Sequence, residues 1–120
     1  MKLRIAGDTL RLRLTQKEVA CLGDDAVVEC AIRFSPNHEL RYSVASSVDA
    51  LGVSVNYKDD SIRVVLPKAM ATAWASSDEI TIEGSDPGGV RILVEKDFQC
   101  LHKTVETDPD AYPNPLAVSI

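Results

Sequence analysis

The sequence is poor in aromatic residues, in cysteine and in long apolar segments. Only 5% of its 120 residues are Phe, Trp or Tyr, so a core must come mainly from the aliphatic residues among the 45% that are hydrophobic. Three cysteines at irregular spacing do not suggest a disulfide framework. No apolar run approaches the roughly 18 residues of a membrane helix, and the first residues lack the apolar centre of a signal peptide. We therefore predict a cytoplasmic protein with no membrane partner.

The sequence also lacks the common catalytic motifs, since no P-loop, GxSxG, HExxH or GxGxxG pattern is present. The net charge is −5, from 13 basic and 18 acidic residues. Affinity for nucleic acid comes largely from neutralising phosphates, so an acidic chain is a poor general nucleic-acid binder. The basic residues are nevertheless concentrated in one place, because the first fifteen residues carry four cations against one acid.

Alternating apolar and polar residues predict a chain made mostly of strands. Two alternating runs around Gly7-Asp8 indicate a β-hairpin. The Thr-x-x-Glu pattern at 15–18 is a capping box that begins a short helix, and Pro67 suits the first position of a second helix. The predicted strands cover residues 2–6, 9–14, 27–34, 39–44, 53–57, 61–66, 79–84 and 90–97.

The order of these elements is hairpin, helix, hairpin, and then the same again. A constant offset of 52 residues aligns the apolar positions of 1–47 with those of 53–99 and places Trp74 at a core position. We therefore predict a mainly β (α+β) fold, an antiparallel barrel built from two ββαββ units. Residues 1–104 would form this single domain, and residues 105–120 would be an acidic, proline-containing tail packed on its surface.

Two resemblances accompany this pattern. Each half resembles a swapped-hairpin barrel unit of the AbrB/MazE class of bacterial regulators and antitoxins. In the second half, the motif that carries this resemblance is Leu66-Pro67-Lys68 followed by Asp78. That resemblance implies interleaved hairpins, with the cations of the first hairpin approaching DNA. The chain as a whole resembles a family of short bacterial proteins of unknown function, on "MKLRIAGDTLRLRLT" at the start and "RILVEKDFQCLHK…DAYPNP" near the end. This second resemblance implies no activity.

The first candidate site is a basic surface. Several cations alternate away from the apolar positions of their strands, as a DNA-contacting surface requires. The alternative is a solvated hairpin face with cross-strand charge pairs. The candidate nucleic-acid-binding residues are Lys2, Arg4, Arg11, Arg13, Arg63 and Lys68.

The second candidate site is a zinc site near the end of the chain. Cys100 and His102 lie two residues apart, and Asp108 and Asp110 follow. A structural zinc ion needs four ligands, usually Cys or His, so carboxylates would have to complete the set. The alternative is a tail without any cofactor, in which Phe98 anchors the end of the last strand.

The sequence favours a non-enzymatic binding or regulatory module, with a protein or DNA as partner and homodimerisation left open. One alternative is a DNA-binding transcriptional regulator or antitoxin of the swapped-hairpin type. Another is a metal-dependent phosphate-binding enzyme, in which Glu79, Glu83 and Glu95 with Arg91 would line a wide barrel.

Overall fold

The computed structural model describes residues 1–98 together with Asp110 and Tyr112. Within this part the chain forms eight strands and two helices, in the predicted order. The bounds are β1 Lys2–Ala6, β2 Thr9–Leu14, α1 Gln16–Gly23, β3 Val28–Ser35, β4 His38–Ser47, β5 Ser54–Lys58, β6 Ser61–Pro67, α2 Lys68–Ala75, β7 Thr81–Ser85 and β8 Arg91–Lys96.

The strands form two four-stranded sheets. Sheet A has the order β1-β2-β8-β7, and sheet B has the order β3-β4-β6-β5. Each sheet combines one hairpin from the first half of the chain with one from the second half. The hairpins are antiparallel internally, but they meet through the parallel pairs β2–β8 and β4–β6. The chain is therefore mainly β, with two helices, as predicted.

The prediction of a closed antiparallel barrel is wrong. No backbone ladder in the described part of the chain joins β1 to β3 or β5 to β7, so these four strands are sheet edges. Side chains fill the gap between the β5 and β7 edges. A Cβ added to Gly84 of β7 would lie 2.6 Å from the Cβ of Val53, which directly precedes β5. Across the same gap the Val55 N–H donates to Asp86 Oδ1 over 2.9 Å.

The uniform offset of 52 residues is not confirmed. Leu10 in β2 pairs with Ile92 in β8, so the offset would pair Ile62 in β6 with Leu40. The observed partner of Ile62 is Tyr42, two residues further along β4. The turns within the hairpins do not cause this difference, because β3–β4 and β7–β8 keep equivalent registers, with Cys30 opposite Tyr42 and Ile82 opposite Val94. The difference lies in the parallel pairing between hairpins.

α1 begins as the sequence predicts, whereas α2 begins one residue later than predicted, because Pro67 is its N-cap and not its first residue. Thr15 forms the N-cap of α1, and its side chain and that of Glu18 make the reciprocal hydrogen bonds of a capping box. Pro67 directly precedes α2, which starts at Lys68. Neither helix of the described residues is long and apolar enough to cross a membrane.

The core lies between the inner faces of the two sheets and the buried faces of the two helices. Trp74 of α2 is 0% exposed, as predicted, and its indole N–H donates to the Ile80 carbonyl over 3.0 Å. This hydrogen bond satisfies the one polar group that such a large buried ring brings into the core. The remaining core is aliphatic and includes Leu12, Leu14, Leu22, Val44, Val64, Leu66, Ile92 and Val94.

Candidate nucleic-acid interface

Four of the predicted cations lie together on the outer face of sheet A. Lys2 is directly opposite Arg13, and Arg4 is directly opposite Arg11, across the β1–β2 ladder. Strict alternation with leucine causes this arrangement, because Leu10 and Leu12 are buried and their neighbours must point the other way. We call Lys2, Arg4, Arg11 and Arg13 the four-cation cluster.

The spacing within the four-cation cluster is fixed by the sheet. Residues two apart along a strand are separated by roughly 6.8 Å, and side chains directly opposite one another begin about 5 Å apart. The cluster is therefore a two-by-two array of positive charge on a twisted surface. Such an array can contact a chain of anionic groups, whereas a single small anion would engage only part of it.

Two acids partly neutralise this array, one near the end of β8 and one directly after it. Arg11 Nε lies 2.8 Å from Glu95 Oε1, and Arg13 Nε lies 3.9 Å from the same oxygen. Lys2 Nζ lies 3.0 Å from an oxygen of Asp97. Glu95 is only 18% exposed, and its Oε1 receives no hydrogen bond of acceptable geometry despite its closeness to Arg11. This oxygen is therefore held by charge rather than by a directed hydrogen bond.

Arg4 differs from the other three cations, because it forms no ion pair or hydrogen bond with any residue that the structure describes. Arg13 has only the long 3.9 Å contact and stays well exposed. These two arginines are the members of the four-cation cluster that are most available to an external anion.

The other two predicted cations lie elsewhere. Arg63 is on the outer face of sheet B, between Ser43 of β4 and Asn56 of β5. Lys68, at the start of α2, holds Asp25 with its Nζ 2.6 Å from Oδ2. The hydrogen bond from Lys68 is the main cause of the lowered pKa of Asp25. The six predicted residues therefore do not form one surface.

The acids invoked for a phosphate-binding enzyme are not inside an enclosed barrel. Glu83 pairs with Arg91 on the outer face of sheet A, and Glu95 faces the four-cation cluster. The space between the sheets is filled with aliphatic side chains. The arrangement therefore provides exposed charge pairs and no internal polar cavity at these acids.

The zinc prediction falls largely outside the described residues. Cys100, His102 and Asp108 belong to the part of the chain that the structure does not describe, as does nearly all of the predicted tail at 105–120. Asp110 is described as a turn residue. Among the residues that are described, no group of three or more His, Cys, Asp or Glu side chains could hold a metal ion. The zinc site and its alternative, a tail without any cofactor, therefore both stay untested predictions.

Sequence reasoning missed the role of Glu95 and Asp97 as counter-charges of the basic hairpin. No local pattern signals it, because more than 80 residues separate these acids from Arg13 and Arg11. The parallel β2–β8 pairing, which sets Arg13 directly beside Glu95, brings them together.

A family model described as a family of unknown function (DUF7009) matches residues 1–116. The match confirms the resemblance to a short family of unknown function. It leaves the swapped-hairpin resemblance unconfirmed. No curated protein and no solved structure matches the chain.

Proposed function

We propose that this chain, which belongs to a family of unknown function (DUF7009), is a non-enzymatic binding module. Its ligand is the phosphate backbone of a nucleic acid, and the four-cation cluster on sheet A makes the contact.

The observation that carries this proposal is the pairing of like charges. Lys2 faces Arg13 and Arg4 faces Arg11 in two successive cross-strand pairs. Like charges directly opposite one another destabilise a sheet by about as much as a good pair stabilises it, roughly 0.2–1 kcal/mol for each pair. Glu95 and Asp97 offset only part of this repulsion. A phosphate chain lying along the hairpin would relieve the rest.

The charge balance predicts a modest affinity. The four cations and the two neighbouring acids have a net charge of about +2, which is enough to neutralise about two phosphates. Counterion release then predicts that log K falls with log salt with a slope of about −1.8 for duplex DNA. The overall charge of −5 opposes binding elsewhere on the surface. Binding should therefore be confined to low and moderate salt and should not depend strongly on base sequence.

The narrower alternative is a swapped-hairpin regulator or antitoxin that reads a symmetric operator. Each sheet combines a hairpin from the first half of the chain with one from the second half, and this interleaving supports the alternative. A symmetric reader needs both halves to be basic, because half-site symmetry mirrors protein symmetry. The only cations on the outer face of the β5–β6 hairpin, which the structure describes in full, are Lys58 and Arg63. We therefore favour backbone contact over operator reading.

The test compares two double variants that remove the same charge from different sheets. Arg4→Gln/Arg13→Gln removes the two most available members of the four-cation cluster. Lys58→Gln/Arg63→Gln removes two cations from the outer face of sheet B and is the matched control. Binding to a fluorescently labelled duplex is measured by anisotropy over a series of NaCl concentrations.

For the wild type, we expect log K to fall with log salt with a slope near −2, and the control should keep this slope. The sheet A variant should lose most of its affinity and most of its salt dependence. Equal losses in the two variants would mean that net charge alone governs binding. Absence of binding by the wild type at low salt would reject the proposal.

A further inference from the structure

The edge of sheet B formed by β3 differs from the other three sheet edges. β3 has eight residues, whereas β1, β5 and β7 have five each. Along the described chain, no backbone group on the outward side of β3 is hydrogen bonded to another strand. Two of its large apolar side chains are also uncovered, because Ile32 is 47% exposed and Phe34 is 70% exposed. A long apolar edge of this kind is a template for pairing with another strand.

The other three edges are protected. β1 carries two charges of the same sign, Lys2 and Arg4, which discourage pairing, whereas the two charges of β3, Glu29 and Arg33, have opposite signs. At the opposite corner, Asp86 accepts a hydrogen bond from the N–H of Val55 in β5. β7 is covered there by the close packing of Val53 on Gly84. Of the four sheet edges, β3 is therefore the one best suited to pair with another strand.

We propose that β3 pairs with β3 of a second copy of this chain, antiparallel and centred on Ala31. This pairing joins two copies of sheet B into one continuous eight-stranded sheet across a two-fold axis. In this register residue i lies opposite residue 62 − i of the partner, so Ala31 faces itself. The interface is isologous, since the same strand is used on both sides.

Charge complementarity selects this register. Glu29 lies opposite the partner's Arg33, and the two-fold axis makes this pair twice. Arg33 forms no ion pair with any residue that the structure describes. Its cross-strand neighbour Glu39 is already held by Arg41, with Nε 2.6 Å from Oε1. Glu29 has only a 4.0 Å contact with Arg41. Both charges are therefore available to a partner.

The apolar side chains agree with the same register. On the inner face, Cys30 would lie opposite the partner's Ile32, and Phe34 would lie opposite the partner's Val28. Moving the centre by one residue, to Cys30 or Ile32, would place Glu29 and Arg33 opposite uncharged residues instead. The ladder with β4 is irregular between Arg33 and Ser35, so the pairing ends near Phe34.

A charge-swap experiment tests the pairing. Sedimentation equilibrium over a range of concentrations measures self-association of the full chain. We expect the wild type to reach twice the mass of one chain and Glu29→Arg or Arg33→Glu to weaken association at least tenfold, because each creates two like-charge pairs. The double variant Glu29→Arg/Arg33→Glu should restore association, which a merely misfolded chain would not do. Arg63→Glu, on the same face two strands away, is the control and should associate as the wild type does.

A cross-linking experiment gives an independent readout. Directly opposite residues in an antiparallel pair have Cα atoms about 4.5–5.5 Å apart, which is within disulfide range. Ala31→Cys should therefore form a covalent dimer on oxidation, in excess of any formed by the native cysteines. Ala6→Cys, also exposed but on the β1 edge, should not.

Several results would overturn the inference. A wild-type chain that stays monomeric at all concentrations would do so. So would single variants that associate as strongly as the wild type, or an Ala31→Cys variant that cross-links no more than Ala6→Cys does. None of these results bears on DNA binding by sheet A, so the two proposals can fail separately.

Discussion

Gly84 provides a sharp test of how closely the two sheets approach. A Cβ added at this position would lie 2.6 Å from Val53 Cβ and 2.8 and 3.3 Å from its two Cγ atoms. Since Val53 is buried and its Cβ is fixed to the backbone, the contact cannot be relieved by a side-chain rotation. Inserting extra atoms into a packed core typically costs about 1–3 kcal/mol. We therefore expect Gly84→Ala to lower the free energy of unfolding by about 2 kcal/mol.

The assay is urea unfolding followed by the fluorescence of Trp74, the single tryptophan. Val53→Ala removes the two Cγ contacts but keeps the Cβ that makes the closest contact, so it should rescue Gly84→Ala only in part. Val53→Gly removes that atom, and the double variant should be more stable than the sum of the single effects predicts by about 1 kcal/mol or more. A Gly84→Ala chain within about 0.5 kcal/mol of the wild type, or equal rescue by both Val53 variants, would refute the reasoning.

Three further predictions concern the helix cap, the turn and the tail. Thr15→Ala removes the N-cap of α1 and should cost about 1 kcal/mol in urea unfolding, whereas Thr72→Ala on the exposed side of α2 should cost little. Hydrogen bonds from the backbone N–H groups of Val55 and Gly88 hold the pKa of Asp86 below its ordinary value of 3.8. The stability that this carboxylate contributes is therefore present above about pH 3.8 and is lost as the pH falls through the folded-state pKa, so the advantage of wild type over Asp86→Asn should shrink in acid. We expect the purified chain to hold no zinc, because Cys100 and His102 supply two of the four ligands usually needed; one zinc ion per chain, lost in Cys100→Ala/His102→Ala, would contradict this expectation.

Local structure follows closely from the sequence. Alternating residues predict the hairpins because only one side of each strand can face the core. At the turn between β5 and β6, Asp59 and Asp60 have positive φ angles of 51° and 57°, which suits the tight hairpin predicted there. The capping box at Thr15 is likewise set by neighbouring residues.

Strand limits depend partly on distant partners. The sequence predicts a strand over 39–44, but β4 extends from His38 to Ser47. The extension exists because Ala45 to Ser47 pair with Val65 to Pro67 in the parallel β4–β6 ladder. Ser46 and Ser47 are polar and lack the apolar alternation that predicts a strand. They are part of β4 because they pair with β6.

Sequence patterns are sufficient to predict the mainly β composition, the order of elements and the alternation that separates Lys2, Arg4, Arg11 and Arg13 from the core. Those features depend on side-chain spacing within a few residues. Three further features emerge only in the folded chain: two open sheets form instead of a closed barrel, Arg63 and Lys68 lie away from the four-cation cluster, and Glu95 neutralises part of that cluster. These outcomes depend on which hairpins pair across the two halves of the chain, and no local pattern encodes that choice, because backbone hydrogen bonds between strands are available to any strand of suitable length.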